Sequence, residues 1–265
     1  MQLNIQGSAH LGMGIKNQDA CREIKSPDKT KRVLLVCDGC TNYDKDRPET
    51  LLQSHSEVGA GLFCSLYEML ENPFDHERFP ENARAIMSRM LELANFDSQN
   101  VVEGTKEYEY VQNNYCFTIL ACFETEDSFV VYLLGDGLLI FMNHHDVVSY
   151  LIKKNLKKPD EPPYLVYEYL YKGVKEFEEQ DFEKYVFSKK DMKKVGIGSD
   201  GVFCVVENDP EAPNLSKFDK LDIDRYLQNS DADVLTDIFR SSAKQLTELI
   251  LSRPSQFGDD TTIVL

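Results

Sequence analysis

A chain of 265 residues with 42% hydrophobic composition, 14 Gly and 10 Pro has the apolar content to bury a full core, which excludes disordered, collagen-like and short disulfide-scaffold classes. Its 29 Lys and Arg stand against 45 Asp and Glu, a net charge of -16. That balance argues against unassisted binding to nucleic acid or an anionic membrane, both of which need a basic footprint, and suits solubility and cation binding.

The opening stretch Met1 to Gly14 lacks a basic segment followed by a long apolar run, so a cytoplasmic location is expected. Three strands come first: Gln2 to Ala9, Asp19 to Ile24 and Arg32 to Cys37, separated by glycine-bearing turn chemistry at Leu11 to Asn17 and by Ser26-Pro27-Asp28-Lys29. After a polar loop, Val58, Leu62, Leu66 and Met69 recur at helical spacing and predict a helix that ends by Asn72-Pro73. Ala83, Ile86, Met90, Leu93 and Ala94 predict a second, from about Glu81 to Asn95.

The middle of the chain reads as an antiparallel meander of strands at Tyr115 to Phe123, Ser128 to Leu134, Leu138 to Met142 and Val147 to Ile152. Residues 153–193 turn charged and Pro-bearing and read as an elaborated, solvated region of the same domain, the Lys153 to Lys158 cluster being a solvated face. A short strand from Val195 to Gly198, a helix from about Asp231 to Ser252 and a strand from Thr261 to Leu265 complete the order. Strands, two helices, strands, helix, strand is not strict βαβ alternation. An α+β layered fold with mostly antiparallel sheet, formed by 1–265 as one domain, is the expectation. The longest apolar runs, Val33 to Cys37 and Phe129 to Leu134, fall far short of the roughly 20 residues of a membrane-spanning helix. Seven scattered cysteines read as reduced core thiols.

Three aspartates share one context, an apolar strand ending at Asp-Gly: Val36-Cys37-Asp38-Gly39, Leu134-Gly135-Asp136-Gly137 and Gly198-Ser199-Asp200-Gly201. A fourth acidic site, Gly258-Asp259-Asp260-Thr261, precedes the last strand. One such Asp is usually a turn residue. Several carboxylates gathered at one sheet edge repel unless a divalent cation neutralises them, and an all-oxygen donor set points to magnesium or manganese.

In this order the motifs resemble the metal-dependent protein phosphatases of the protein phosphatase 2C family, in bacterial form. Asn17-Gln18-Asp19-Ala20 is similar to the family's first motif, and Asp38-Gly39 to its metal-bridging Asp-Gly. Ser56-Glu57-Val58-Gly59-Ala60 resembles the start of its first helix. Phe117-Thr118-Ile119-Leu120 resembles a Thr-bearing core strand, Gly135-Asp136-Gly137 its Gly-Asp-Ser, Ser199-Asp200-Gly201 its Ser-Asp-Gly, and Asp259-Asp260-Thr261 its closing motif. The resemblance implies a four-layer αββα sandwich, two mostly antiparallel sheets flanked by helix pairs. It implies two Mn2+ or Mg2+ ions with a weaker third, and direct attack of a metal-bridging hydroxide on phosphoserine or phosphothreonine in a protein or peptide. Asp38, Asp200 and Asp259 are implied as catalytic metal ligands, with the Gly39 carbonyl as a further ligand, Asp136 on the weaker ion and Asp19 acting through bound water.

Three positions depart from the pattern. Gly14 stands where the family anchors phosphate with Arg, Cys40-Thr41 where many members carry His, and Cys204 where a further Asp is common. They motivate the alternative of a weakly active or inactive phosphatase-like binding or regulatory domain. Competing signals are weaker. Gly196, Gly198 and Gly201 match a dinucleotide fingerprint, but β-like Val202 to Val206 follows instead of a helix. Cys37 and Cys40 lack the second pair a zinc site needs. His144-His145 reads as a hairpin turn. A haloacid-dehalogenase-type site needs Asp at Val36.

Overall fold

The computed structural model describes residues 2–5, 17–40, 56–153, 163–175, 177, 180–202 and 261–265. Its strands are β1 (Gln2–Ile5), β2 (Ala20–Lys25), β3 (Arg32–Cys37), β4 (Ile119–Glu124), β5 (Ser128–Leu134), β6 (Gly137–Asn143), β7 (Val148–Lys153), β8 (Glu183–Ser188), β9 (Met192–Gly198) and β10 (Thr261–Val264). Its α-helices are α1 (Ser56–Glu68), α2 (Phe79–Leu93), α3 (Lys106–Tyr115) and the short α4 (Tyr167–Leu170).

Two five-stranded sheets result, ordered β1-β10-β9-β6-β7 and β2-β3-β4-β5-β8, and every pairing is antiparallel. The sheets face each other. Because successive side chains of a strand point to opposite faces, Leu34, Val36, Leu120, Cys122, Val131 and Leu133 of the second sheet meet Leu139, Phe141, Leu151, Val195, Ile197 and Val264 of the first. The alternate residues Val33, Leu35, Cys37, Ile119, Ala121 and Phe123 turn the other way, onto α1, α2 and α3. The outer face of the first sheet is buried as well, through Leu138, Ile140, Val148, Tyr150 and Ile263. Both sheets are thus covered on both faces, which explains why β3, β4 and β5 read as unbroken apolar runs.

The expected strands at 32–37 and 128–134 coincide with β3 and β5. The expected meander does not hold as one sheet. β4 and β5 pair in the second sheet while β6 and β7 pair in the first, and Gly135-Asp136 carries the chain across. Gly135 takes φ +100°, and a Cβ there would lie 2.6 Å from Thr118 Cγ2, so this step suits glycine alone.

Helix α1 forms where expected and packs Leu62 and Leu66 against the core, but its most buried stripe is shifted. Val58 is 47% and Met69 79% exposed, whereas Gly59, Ala60, Phe63, Cys64 and Tyr67 are buried. The small pair Gly59-Ala60 admits α3, whose Asn114 carbonyl oxygen lies 1.9 Å from where a Gly59 Cβ would be. Helix α3 was not expected. Tyr115, read as strand, is its last residue; Thr105 caps it by accepting from the Tyr108 N–H at 3.3 Å, and Glu107 and Glu109 occupy its positive first turn.

The 153–193 stretch, read as solvated, contributes an unexpected edge strand, β8, and buries Tyr164, Leu165, Val166, Tyr167, Leu170 and Phe177 in the helix-side core. Arg84 of α2 pins it down, donating to both Glu168 carboxylate oxygens at 3.1 Å and to the Gln180 carbonyl at 2.9 Å. The helix expected at Asp231 to Ser252 lies outside the described residues. Among the described residues no helix is long and apolar enough to cross a membrane.

Candidate active site

Strand direction gathers the expected carboxylates at one end of the sandwich. β2 begins at Ala20, paired with Cys37 at the end of β3, so Asp19 and Asp38 step out side by side. β4 enters at this end, because the Thr118 N–H donates to the Asp38 carbonyl at 2.8 Å and Gly39 bridges Phe117. In the facing sheet, Gly198 closes β9 against Leu138 of β6 and Ile263 of β10, which brings Asp136 and Asp200 to the same end.

The two sheets touch through the candidate ligands themselves: the Asp200 backbone N–H donates to Asp38 Oδ2 at 3.3 Å. Asp200 is held in place by its neighbour. The Ser199 N–H donates to the Thr262 carbonyl, and the Thr262 N–H donates to Ser199 Oγ, both at 2.9 Å. Asp38, Asp136 and Asp200 are half-buried, and Asp19 is buried with both carboxylate oxygens shielded from solvent. Beneath them Cys37 is fully buried. Burial above all, then the Cys64 thiol, then the charges of Asp19 and Asp38, hold the Cys37 thiol well above its ordinary range.

Gly39 is a steric requirement here, since a Cβ would come within 2.7 Å of both the Gln18 carbonyl oxygen and Ser56 Oγ. Ser56, at the start of α1, donates to the Cys40 carbonyl at 3.0 Å and so ties that helix to the Asp38-Gly39 loop. Cys40, where a His would resemble the family, is half-buried with its N–H on the Cys116 carbonyl at 3.0 Å.

The donors present suit a hard divalent cation. They are carboxylate oxygens with a buried Thr118 hydroxyl, which has no hydrogen-bond partner among the described residues. Among the described residues no three His, Cys, Asp or Glu side chains close into a cation site. Asp259 lies outside the described residues, as do Gly14 and Cys204.

Thr118, expected on a Thr-bearing core strand, lies at this end, while sequence reading missed an ion pair there. Lys153, last residue of β7, pairs with Gly137 next to Asp136. Its Nζ lies 2.9 Å from Oε2 of Glu183, the first residue of β8, which is paired with Leu133. Tyr185 also donates to that Glu183 oxygen. Counting strand lengths around the β6–β7 hairpin from Asp136 would have placed Lys153 here.

A family model for protein phosphatase 2C matches residues 6–248. No curated protein matches the chain. Among solved structures, the serine/threonine phosphatase Stp1 from Staphylococcus aureus superposes with a TM-score of 0.56 at 13% identity, over 99% of this chain and 92% of that one. PppA of Pseudomonas aeruginosa, described as a key regulatory component of T6SS, gives 0.55 at 11% identity, over 99% and 94%. The catalytic domain of the serine/threonine protein phosphatase PstP, in complex with two manganese ions, gives 0.54 at 13% identity, over 99% and 94%. At these identities the likeness speaks for the α+β fold of two antiparallel sheets. With the family model spanning nearly the whole sequence, the chain belongs to the protein phosphatase 2C family, a metal-dependent family of protein serine/threonine phosphatases.

Proposed function

We propose that the chain acts as one catalytic domain that hydrolyses phosphoserine and phosphothreonine esters of proteins with manganese or magnesium. The observation that carries this reading is the contact between Asp38 and Asp200, which come from different sheets and meet through the Asp200 N–H on Asp38 Oδ2 at 3.3 Å. Two acidic residues brought together in a half-buried setting favour a shared cation over mutual repulsion.

In this reading Asp38, the Gly39 carbonyl, Asp200 and Asp259 would hold two ions, Asp136 would hold a weaker third, and Asp19 would act through bound water. Such ions supply positive charge to the phosphoryl oxygens and lower the pKa of solvent. The chain's own part is orientation. The Asp200 N–H fixes one Asp38 oxygen, the Ser199–Thr262 bonds fix Asp200, and the Ser56 bond fixes the loop that presents the Gly39 carbonyl.

The test is manganese-dependent hydrolysis of a phosphothreonine peptide by the purified chain, expected to fall ~100-fold or more in Asp38→Ala and Asp200→Asn. Folded, manganese-loaded protein with no turnover above background would overturn the proposal.

A further inference from the structure

We propose that Lys153 is a substrate-binding residue that receives the phosphoryl group of the phosphoprotein; this rests on the phosphatase reading above. The end of the sandwich that gathers Asp19, Asp38, Asp136 and Asp200 is strongly negative, and a phosphate dianion approaching it needs cationic contacts from the protein as well as from ions. The strand register supplies one. Lys153 pairs with Gly137, one residue from Asp136, and β7 is separated from β9, which leads into Asp200, by β6 alone. Two strand spacings are about 10 Å, a gap that the lysine stem spans only by swinging from Glu183 over the strand end.

The side chain also points the right way. Leu151 of β7 lies in the core between the sheets, so Lys153, two residues on, falls on the same side. Its ammonium reaches across to Glu183 at 2.9 Å, and Glu183 shares that orientation because Phe187 of β8 lies in the same core. The pair is therefore a link between the two sheets at the end of the sandwich that carries Asp136. About a third of each side chain stays exposed, 30% for Lys153 and 32% for Glu183, so the pair is not sealed in the core. Glu183 holds the ammonium at this end without substrate and competes with phosphate for it.

This competition separates substrate binding from a merely structural salt bridge. If the pair only holds the sheets together, removing either partner weakens the protein in the same direction. If Lys153 receives phosphate, the two substitutions have opposite signs. With manganese-loaded protein, Lys153→Met should raise KM for both a phosphothreonine peptide and p-nitrophenyl phosphate about 10-fold, more than it lowers kcat. Lys153→Arg should restore most of the affinity, and Glu183→Gln should lower KM about 2- to 3-fold. Titration calorimetry with inorganic phosphate should show the same order of affinities without relying on turnover. Parallel losses in Lys153→Met and Glu183→Gln, or phosphate affinity unchanged in Lys153→Met, would overturn the assignment. So would a KM effect confined to the peptide. Wild-type protein that binds phosphate through Lys153 yet turns nothing over would instead refute the phosphatase reading and leave this assignment standing.

Discussion

The same substitution two residues apart in α1 should have opposite effects. At Gly59 an added Cβ would stand 1.9 Å from the Asn114 carbonyl oxygen and 3.0 Å from Tyr115 Cδ1 of α3. Real Cβ atoms stay beyond 3.0 Å, so α1 and α3 must part by about 1.1 Å at this point. Helix propensity favours Ala over Gly by about 1 kcal/mol, but forced separation of packed helices costs about 1–3 kcal/mol or more. Parting these helices also disturbs buried Phe63, Cys64, Val111 and Tyr115, so we expect Gly59→Ala to be net destabilising by about 2 kcal/mol. At Gly61 an added Cβ meets nothing within 4 Å, so Gly61→Ala should keep its propensity gain of about 1 kcal/mol. In a thermal melt of a chain this size, where 1 kcal/mol moves Tm by about 2–4 °C, Gly59→Ala should melt about 4–8 °C below the parent and Gly61→Ala about 2–4 °C above it. Equal shifts of the same sign in both variants would refute the close α1–α3 approach. Because Ser56 begins α1 and holds the Cys40 carbonyl, Gly59→Ala should also lower turnover.

Saturating manganese, about 100 times its Kd, should stabilise the protein by about 2.7 kcal/mol and raise Tm by about 5–11 °C, an effect absent in Asp38→Ala; an identical melt with and without the ion would refute a shared cation. Replacing Arg84 by Ala should cost about 2 kcal/mol, since it leaves the nearly enclosed Glu168 carboxylate with the Gln180 N–H but without its cation, and should raise hydrogen exchange of the amides at 164–170; unchanged protection there would refute the pin. Burial pushes the Cys122 thiol from 9.0 to about 12. A pKa raised on folding gives stability that is fully present below the unfolded value and lost as pH rises through the folded one, so stability should fall between pH 9 and 12 by about 1.4 kcal/mol per pH unit from this group. Denaturant unfolding of Cys122→Ala should show a correspondingly shallower alkaline loss, and parallel curves would refute the assignment.

The parts of the site that sequence alone made legible are those whose chemistry is local. Asp38, Asp136 and Asp200 each close an apolar run with Asp-Gly, and the structure brings those runs to one end. What escaped depended on partners far along the chain. The buried stripe of α1 follows Gly59 and Ala60 because α3 sits against them, while the larger Val58 and Met69 face water. Helix α3 carried its own signal in Thr105 and the acidic first turn, but its tyrosine and asparagine content resembles neither strand nor strong helix. β8 was hidden by charge. Lys184 and exposed Val186 occupy the face turned from the inter-sheet core, so its alternation does not separate apolar from polar residues. Lys153 looked like one member of a basic cluster, and it falls beside Gly137 only when the register of the β6–β7 hairpin is counted through.

The two-residue crossing at Gly135-Asp136 leaves no slack between Leu134, which ends one sheet, and Gly137, which begins the other. A slip of one sheet over its neighbour by a single residue is a displacement of about 3.3 Å, and this step is too short to absorb it. The step that carries Asp136 therefore acts as a hinge pin without play, holding the two layers to one alignment at this end.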